Sequence, residues 1–124
     1  MTNSTSNEEP VSSATLIFLA DWQEVQFGRI RAGGTLRIEY EEQRLPKCRR
    51  ERLGKPMWTI DAHLRFHPGG QMCCGSVVRP YEVLIPADAT RVEIWFRNWF
   101  KVMSFCEDWD SRYGQNYWYD VERN

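Results

Sequence analysis

Between Trp58 and Phe66 the chain alternates without a break. Trp58, Ile60, Ala62, Leu64 and Phe66 fall on one side, Thr59, Asp61, His63 and Arg65 on the other. A side-chain period of two marks a strand with one buried face. The pattern recurs over Thr35–Tyr40, where Leu36, Ile38 and Tyr40 oppose Thr35, Arg37 and Glu39. It recurs again over Arg91–Asn98, where Val92, Ile94 and Phe96 oppose Glu93, Trp95 and Arg97. Shorter runs at Ala14–Leu19, Met72–Val78, Tyr81–Ile85 and Asn116–Val121 read as further strands. Gly33-Gly34, His67-Pro68-Gly69-Gly70 and Pro86-Ala87-Asp88 supply the turn chemistry between them. The one helical expectation is a short element over Gln43–Arg52. Trp99–Gln115 reads as a long aromatic and acidic loop, a length that in a small domain usually has a use.

Together these elements predict an all-β protein, a single antiparallel β-sandwich of about seven to eight strands over residues 14–124. Residues 1–13, rich in Ser, Thr, Asn and Glu and free of aromatics, are expected to be a flexible arm. A chain of 124 residues is long enough for one such core.

The formal net charge of -1 lacks the basic balance of a nucleic-acid binder, so no nucleic-acid partner is expected. One run is basic: Arg44, Lys47, Arg49, Arg50, Arg52 and Lys55. It reads as a solvated loop, with an anion-binding patch as the sharper alternative. No stretch approaches the roughly 18 apolar residues of a membrane span. The first thirteen residues have neither the charged nor the apolar region of a secretory signal. A cytoplasmic location without membrane contact is therefore the expectation. The four cysteines, Cys48, Cys73, Cys74 and Cys106, lack the paired spacing of a zinc site. Free thiols are expected in a reducing compartment, with a Cys48–Cys106 bridge as the alternative under oxidising conditions.

Aromatic residues make up 14% of the chain, and they concentrate near its end. Trp109, Tyr113, Tyr117, Trp118 and Tyr119 stand among Asp108, Asp110, Ser111, Gln115 and Asn116. Sugars offer apolar C–H faces fringed by hydroxyls, so their sites combine flat rings with amide and carboxylate groups. The run Trp109-Asp110-Ser111-x-x-Gly114-x-Asn116-Tyr117 resembles the W-D-N-N-x-G-x-N-Y signature of starch- and glycogen-binding modules, which are antiparallel β-sandwiches. The resemblance covers about nine residues, and Ser111 replaces one asparagine of the signature. It implies carbohydrate binding by Trp109, Asp110, Asn116 and Tyr117, the aromatics stacking and the polar pair bonding hydroxyls. Over its whole length the chain more closely resembles a bacterial family of uncharacterised small domains, through Gly33–Tyr40, Pro68-Gly69-Gly70, Val92–Phe96 and Trp109–Tyr117. That resemblance implies a fold and no activity. The same nine residues also suit a loop that only closes the last hairpin: Asp110 and Asn116 bonding backbone, Gly114 at positive φ, Trp109 and Tyr117 packing.

Catalysis finds little support. His63 lies on the polar face of a strand and His67 opens a turn. There is no nucleophile elbow and no Gly-rich phosphate cradle. Glu107, Asp108 and Asp110 do not have calcium-loop spacing. No cofactor, metal or catalytic residue is expected. The leading expectation is thus a non-catalytic module with a glycan or protein partner. A protein-interaction domain using an edge strand is the alternative. A small enzyme or ligand carrier with a pocket between the sheets is the third reading.

Overall fold

A computed structural model describes residues 12–124. Eleven strands follow in chain order: β1 (Ser13–Phe18), β2 (Glu24–Phe27), β3 (Thr35–Tyr40), β4 (Glu51–Arg52), β5 (Lys55–Pro56), β6 (Thr59–His67), β7 (Met72–Ser76), β8 (Tyr81–Leu84), β9 (Arg91–Val102), β10 (Ser104–Asp110) and β11 (Tyr117–Asp120). One sheet has the order β2-β1-β3-β8. The other runs β10-β9-β6-β7, with β11 also paired to β9. β4 and β5 form a separate two-stranded hairpin. The two sheets make the expected sandwich. The strands are more numerous than the seven to eight expected, because β2, β10 and the β4–β5 hairpin escape the hydrophobic pattern. One pairing also departs from a wholly antiparallel plan: β1 runs parallel to β3, with Leu16 opposite Ile38. Of the segment expected to be a flexible arm, residues 1–11 lie outside the described residues, and Ser13 opens β1 opposite Thr35.

The alternation read from the sequence sets the core. Leu36, Ile38, Ile60, Ala62, Leu64, Phe66, Val92, Ile94 and Phe96 are all buried, and Leu16 and Phe18 of β1 join them. Burying a side chain of this size contributes roughly 1.5–3 kcal/mol. Phe18 and Phe96 meet edge to face across the two sheets, ring centroids 4.7 Å apart, a geometry that aromatic quadrupoles favour.

Two expectations fail locally for physical reasons. Only Glu42–Arg44 forms a helical turn, of the tight 3-10 kind. Pro46 disfavours helix at the residue before it and cannot donate a backbone hydrogen bond, so Gln43–Arg52 does not become a helix. The supposed long loop Trp99–Gln115 is mostly a hairpin. β9 continues to Val102, the chain turns at Met103 (φ 66°), and β10 pairs back with Glu107 opposite Trp99. β10 hid because it is an edge strand rich in Asp and Glu, residues depleted in strands. Cys48 and Cys106 form a disulfide that ties β10 to the segment before β4, so the free-thiol expectation does not hold for this pair. Cys73 and Cys74 are free.

Candidate functional site

β2 is an edge strand of the first sheet and β10 an edge strand of the second. The turn leading into β2 and the loop following β10 face each other across a cleft of about 410 Å³. It is lined by Trp22 and Glu24 from the turn into β2 and its start, and by Trp109, Ser111, Arg112 and Tyr113 from the end of β10 and the loop after it, together with Asp110 and Tyr117. Three rings stand open to solvent: Trp22 at 58% exposure, Trp109 at 47% and Tyr113 fully.

The floor is a closed polar network. Asp110 sits on the inward side of β10, only 5% exposed. Its Oδ2 accepts from Tyr40 Oη at 2.7 Å and Arg44 Nε at 3.1 Å, and its Oδ1 accepts from Tyr117 Oη at 2.6 Å. Arg44 is buried beneath the cleft. Its Nη2 donates to Tyr117 Oη at 2.8 Å, and its Nη1 donates to the carbonyls of Leu19 and Gln23 in the β1–β2 turn. Its guanidinium lies 4.7 Å from the centre of the Trp22 ring. Every polar group in this network has a partner, which is what burial of an ion pair requires. Burial, followed by the Asp110 charge and its hydrogen bond, holds the Tyr40 hydroxyl well above the usual phenol range. Burial and the hydrogen bond to Asp110 do the same to Tyr117. Both phenols therefore stay protonated and keep donating to the carboxylate.

The walls are held in an uncommon backbone conformation. Trp22, Arg112 and Tyr113 all have positive φ, at 71°, 52° and 59°. Gly114 follows at 86°, as a tight closure here demands, and Asn116 at 62°. Such residues cost of order 1–3 kcal/mol each and gather at ligand clamps and other functional sites. Asn116 N donates to the Ser111 carbonyl at 2.6 Å, closing the loop.

The four residues singled out from the sequence separate into different roles. Trp109 alone presents an open ring. Asp110 and Tyr117 lie under the cleft with their polar atoms engaged, and at 4% exposure Tyr117 has no free face for stacking. Asn116 lies outside the lining. Its Nδ2 donates to Glu93 Oε2 at 2.8 Å, and His67 Nε2 lies 2.9 Å from Glu93 Oε1. Burial opposes ionisation of Glu93, but these hydrogen bonds and the Arg65 charge outweigh it and hold the carboxyl below its usual range. This cluster fastens the start of β11 to β9.

Sequence reasoning missed Trp22, Glu24 and Arg44. For Trp22 a signal existed: a tryptophan in the polar stretch Asp21-Trp22-Gln23, outside any alternating pattern. Arg44 reads as one member of the basic run, yet its side chain is wholly buried. Arg49 and Arg50 of that run lie over the rings of Trp58 and Phe100.

A family model described as a family of unknown function, DUF6209, matches residues 5–122, and the chain belongs to that family. Neither a curated protein nor a solved structure matches it. Among the described residues no helix is long and apolar enough to cross a membrane.

Proposed function

We propose that this member of DUF6209 is a non-catalytic binding module for a glucan-like carbohydrate, and that the ligand lies in the cleft between Trp22 and the Trp109–Tyr113 wall. One observation carries the reading: three solvent-facing aromatic rings flank one cleft above a rigid, fully satisfied floor. The volume is within the range of small-ligand sites, about 300–1,000 Å³. Pyranose rings stack on such faces through their C–H bonds, and Glu24, Ser111 and Arg112 stand within the lining for the hydroxyl fringe. In this reading Asp110, Tyr117 and Arg44 position the walls, Asn116 anchors the loop, and the stacking falls to Trp22, Trp109 and Tyr113. The Cys48–Cys106 bridge favours an oxidising compartment over the cytoplasm expected from the sequence, because such bonds persist where thiols are not kept reduced.

A second reading has its own support. The β4–β5 tip and the β9–β10 tip present Leu53 at 94% and Met103 at 88% exposure, with Phe105 nearby in sequence at 58%. Arg50 Nη1 reaches the Val102 carbonyl between the two hairpins. Exposed apolar tips side by side suit a protein partner.

Electrophoresis through gels containing soluble glucans separates the readings. The carbohydrate reading expects retardation of the protein by an α- or β-glucan, abolished in Trp22→Ala and unchanged in Leu53→Ser/Met103→Ser. Mobility that no glucan alters would refute it and leave the hairpin tips as the surface to pursue.

A further inference from the structure

Away from the cleft floor, on the outer face of the second sheet, β6 and β7 bring together three side chains that the carbohydrate reading does not use. Asp61 and His63 are two residues apart on β6 and share a face. Cys74 of β7 is directly opposite His63, and Asp61 is opposite Ser76. Cys74 Sγ lies 3.9 Å from His63 Nε2. One ligand atom from each of Asp61, His63 and Cys74 falls within 4.8 Å of the others, the one such group among the described residues.

We propose that Asp61, His63 and Cys74 form a binding site for a zinc-type divalent cation, with a fourth position open to solvent. The donor set is one imidazole nitrogen, one thiolate sulfur and one carboxylate oxygen, the mixture a borderline-soft ion takes. The thiolate and carboxylate together neutralise the 2+ charge. Tetrahedral zinc with bonds of about 2.0–2.3 Å sets its ligand atoms roughly 3.3–3.7 Å apart. The His63–Cys74 gap is within a few tenths of an ångström of that, and Cys74 is exposed and not in a disulfide.

The surroundings orient two of the three ligands. Trp99 Nε1 donates to Asp61 Oδ2 at 2.9 Å and Thr59 Oγ1 donates to Oδ1 at 3.4 Å, and Oδ1 keeps its second lone pair for the ion. The Trp95 ring stacks on His63 with centroids 5.5 Å apart and planes 6° from parallel, fixing the imidazole. A hydrogen bond such as that from Trp99 to Asp61 is a usual support of a ligating carboxylate. The nearest opposing charge is Arg97, also opposite Asp61. Its Nε lies 2.5 Å from Glu107 Oε2, an ion pair without hydrogen-bond geometry, so its charge is already compensated. On binding, the Cys74 S–H bond breaks, the proton leaves to solvent and the sulfur lone pair enters the metal bond.

The two free cysteines make the proposal testable. Cys73 and Cys74 are the only thiols beside the bridged pair, and Cys73 packs against the core on the other face. Chelator-treated, disulfide-intact protein is titrated with Zn2+ by calorimetry and with Co2+ by absorption spectroscopy. The expected result is one ion per chain and a thiolate-to-cobalt charge-transfer band. Cys74→Ser abolishes the band and Cys73→Ser retains it. Asp61→Asn and His63→Ala each weaken Zn2+ affinity at least about tenfold. Trp99→Phe, which removes only the hydrogen bond to Asp61, weakens it by roughly 10–100-fold. Absence of the band in the wild-type protein, its survival in Cys74→Ser, or its loss in Cys73→Ser with the fold intact by circular dichroism would each overturn the proposal.

Discussion

Removing Arg44 should do more damage than removing any other cation among the described residues. Arg44→Ala deletes four hydrogen bonds: to Asp110, to the Tyr117 hydroxyl, and to the carbonyls of Leu19 and Gln23. It strands the Asp110 carboxylate, 3% exposed, with two phenol hydroxyls and no countercharge. Breaking a buried pair by removing one partner costs about 3–5 kcal/mol, because the remaining charge stays desolvated. Against a total stability of ~5–15 kcal/mol for a domain, that is a large share. Urea unfolding should show a correspondingly lower midpoint with an unchanged slope. At ~4 °C per kcal/mol for a domain of this size, the melting temperature should fall by at least about 10 °C. Arg37→Ala is the control. Its partners Glu39 and Glu82 lie partly or largely in solvent, and such surface pairs contribute little to stability. A loss below ~1 kcal/mol in Arg44→Ala, no larger than the control, would refute the claim that this pair holds the cleft floor.

Further outcomes follow from the same contacts. Cys106→Ser opens a bridge between residues 58 apart, and loop-closure entropy sets the loss at about 4 kcal/mol. The same shift should appear when the wild-type protein is unfolded in reductant, and its absence would show that the bridge does not form. Glu93 links stability to acid. Its folded carboxyl titrates below the ordinary value of 4.5, so the folded state binds fewer protons than the unfolded state in that window. The stabilisation is complete above 4.5 and disappears as pH falls through the depressed folded value. Asn116→Ala, which removes one of the two side-chain hydrogen bonds to Glu93, should flatten that slope in urea titrations across the acidic range. Gly114→Ala places a Cβ at φ 86° and should cost about 1 kcal/mol or more, read as a lower urea midpoint.

The parts of the fold legible in the sequence are those where one face is buried and the other wet. β3, β6 and the first half of β9 alternate because they pair in the middle of a sheet, and the inward residues named from their pattern are buried, apart from Tyr40 and Trp58, which are partly buried against the core. β10 was not legible. As an edge strand its identity depends on backbone pairing with β9, which composition does not record. The site divides in the same way. The Trp109–Tyr117 run is legible as an aromatic and polar segment beside the last strand, and Gly114 has the positive φ expected of it. The division of labour within the run is not, because it depends on side chains brought together by folding. Arg44 is separated from Asp110 by 66 residues and from Tyr117 by 73. Only the folded chain shows that Asp110 and Tyr117 face a buried guanidinium while Trp109, one residue from Asp110, faces solvent.

The most direct test of the proposed function follows tryptophan fluorescence while maltooligosaccharides and β-glucan oligosaccharides are titrated into the wild-type protein, Trp22→Ala, Trp109→Ala and Asn116→Ala. Trp22 and Trp109 both line one cleft, and in the proposed reading a sugar held there contacts both. The expected result is saturable quenching in the wild-type protein, lost in each tryptophan variant while their unfolding free energies stay within about 1 kcal/mol of wild type, as for exposed side chains. Asn116→Ala, outside the lining, should still bind. No saturable response to any sugar, or binding that survives both tryptophan substitutions, would contradict the assignment of this cleft to carbohydrate.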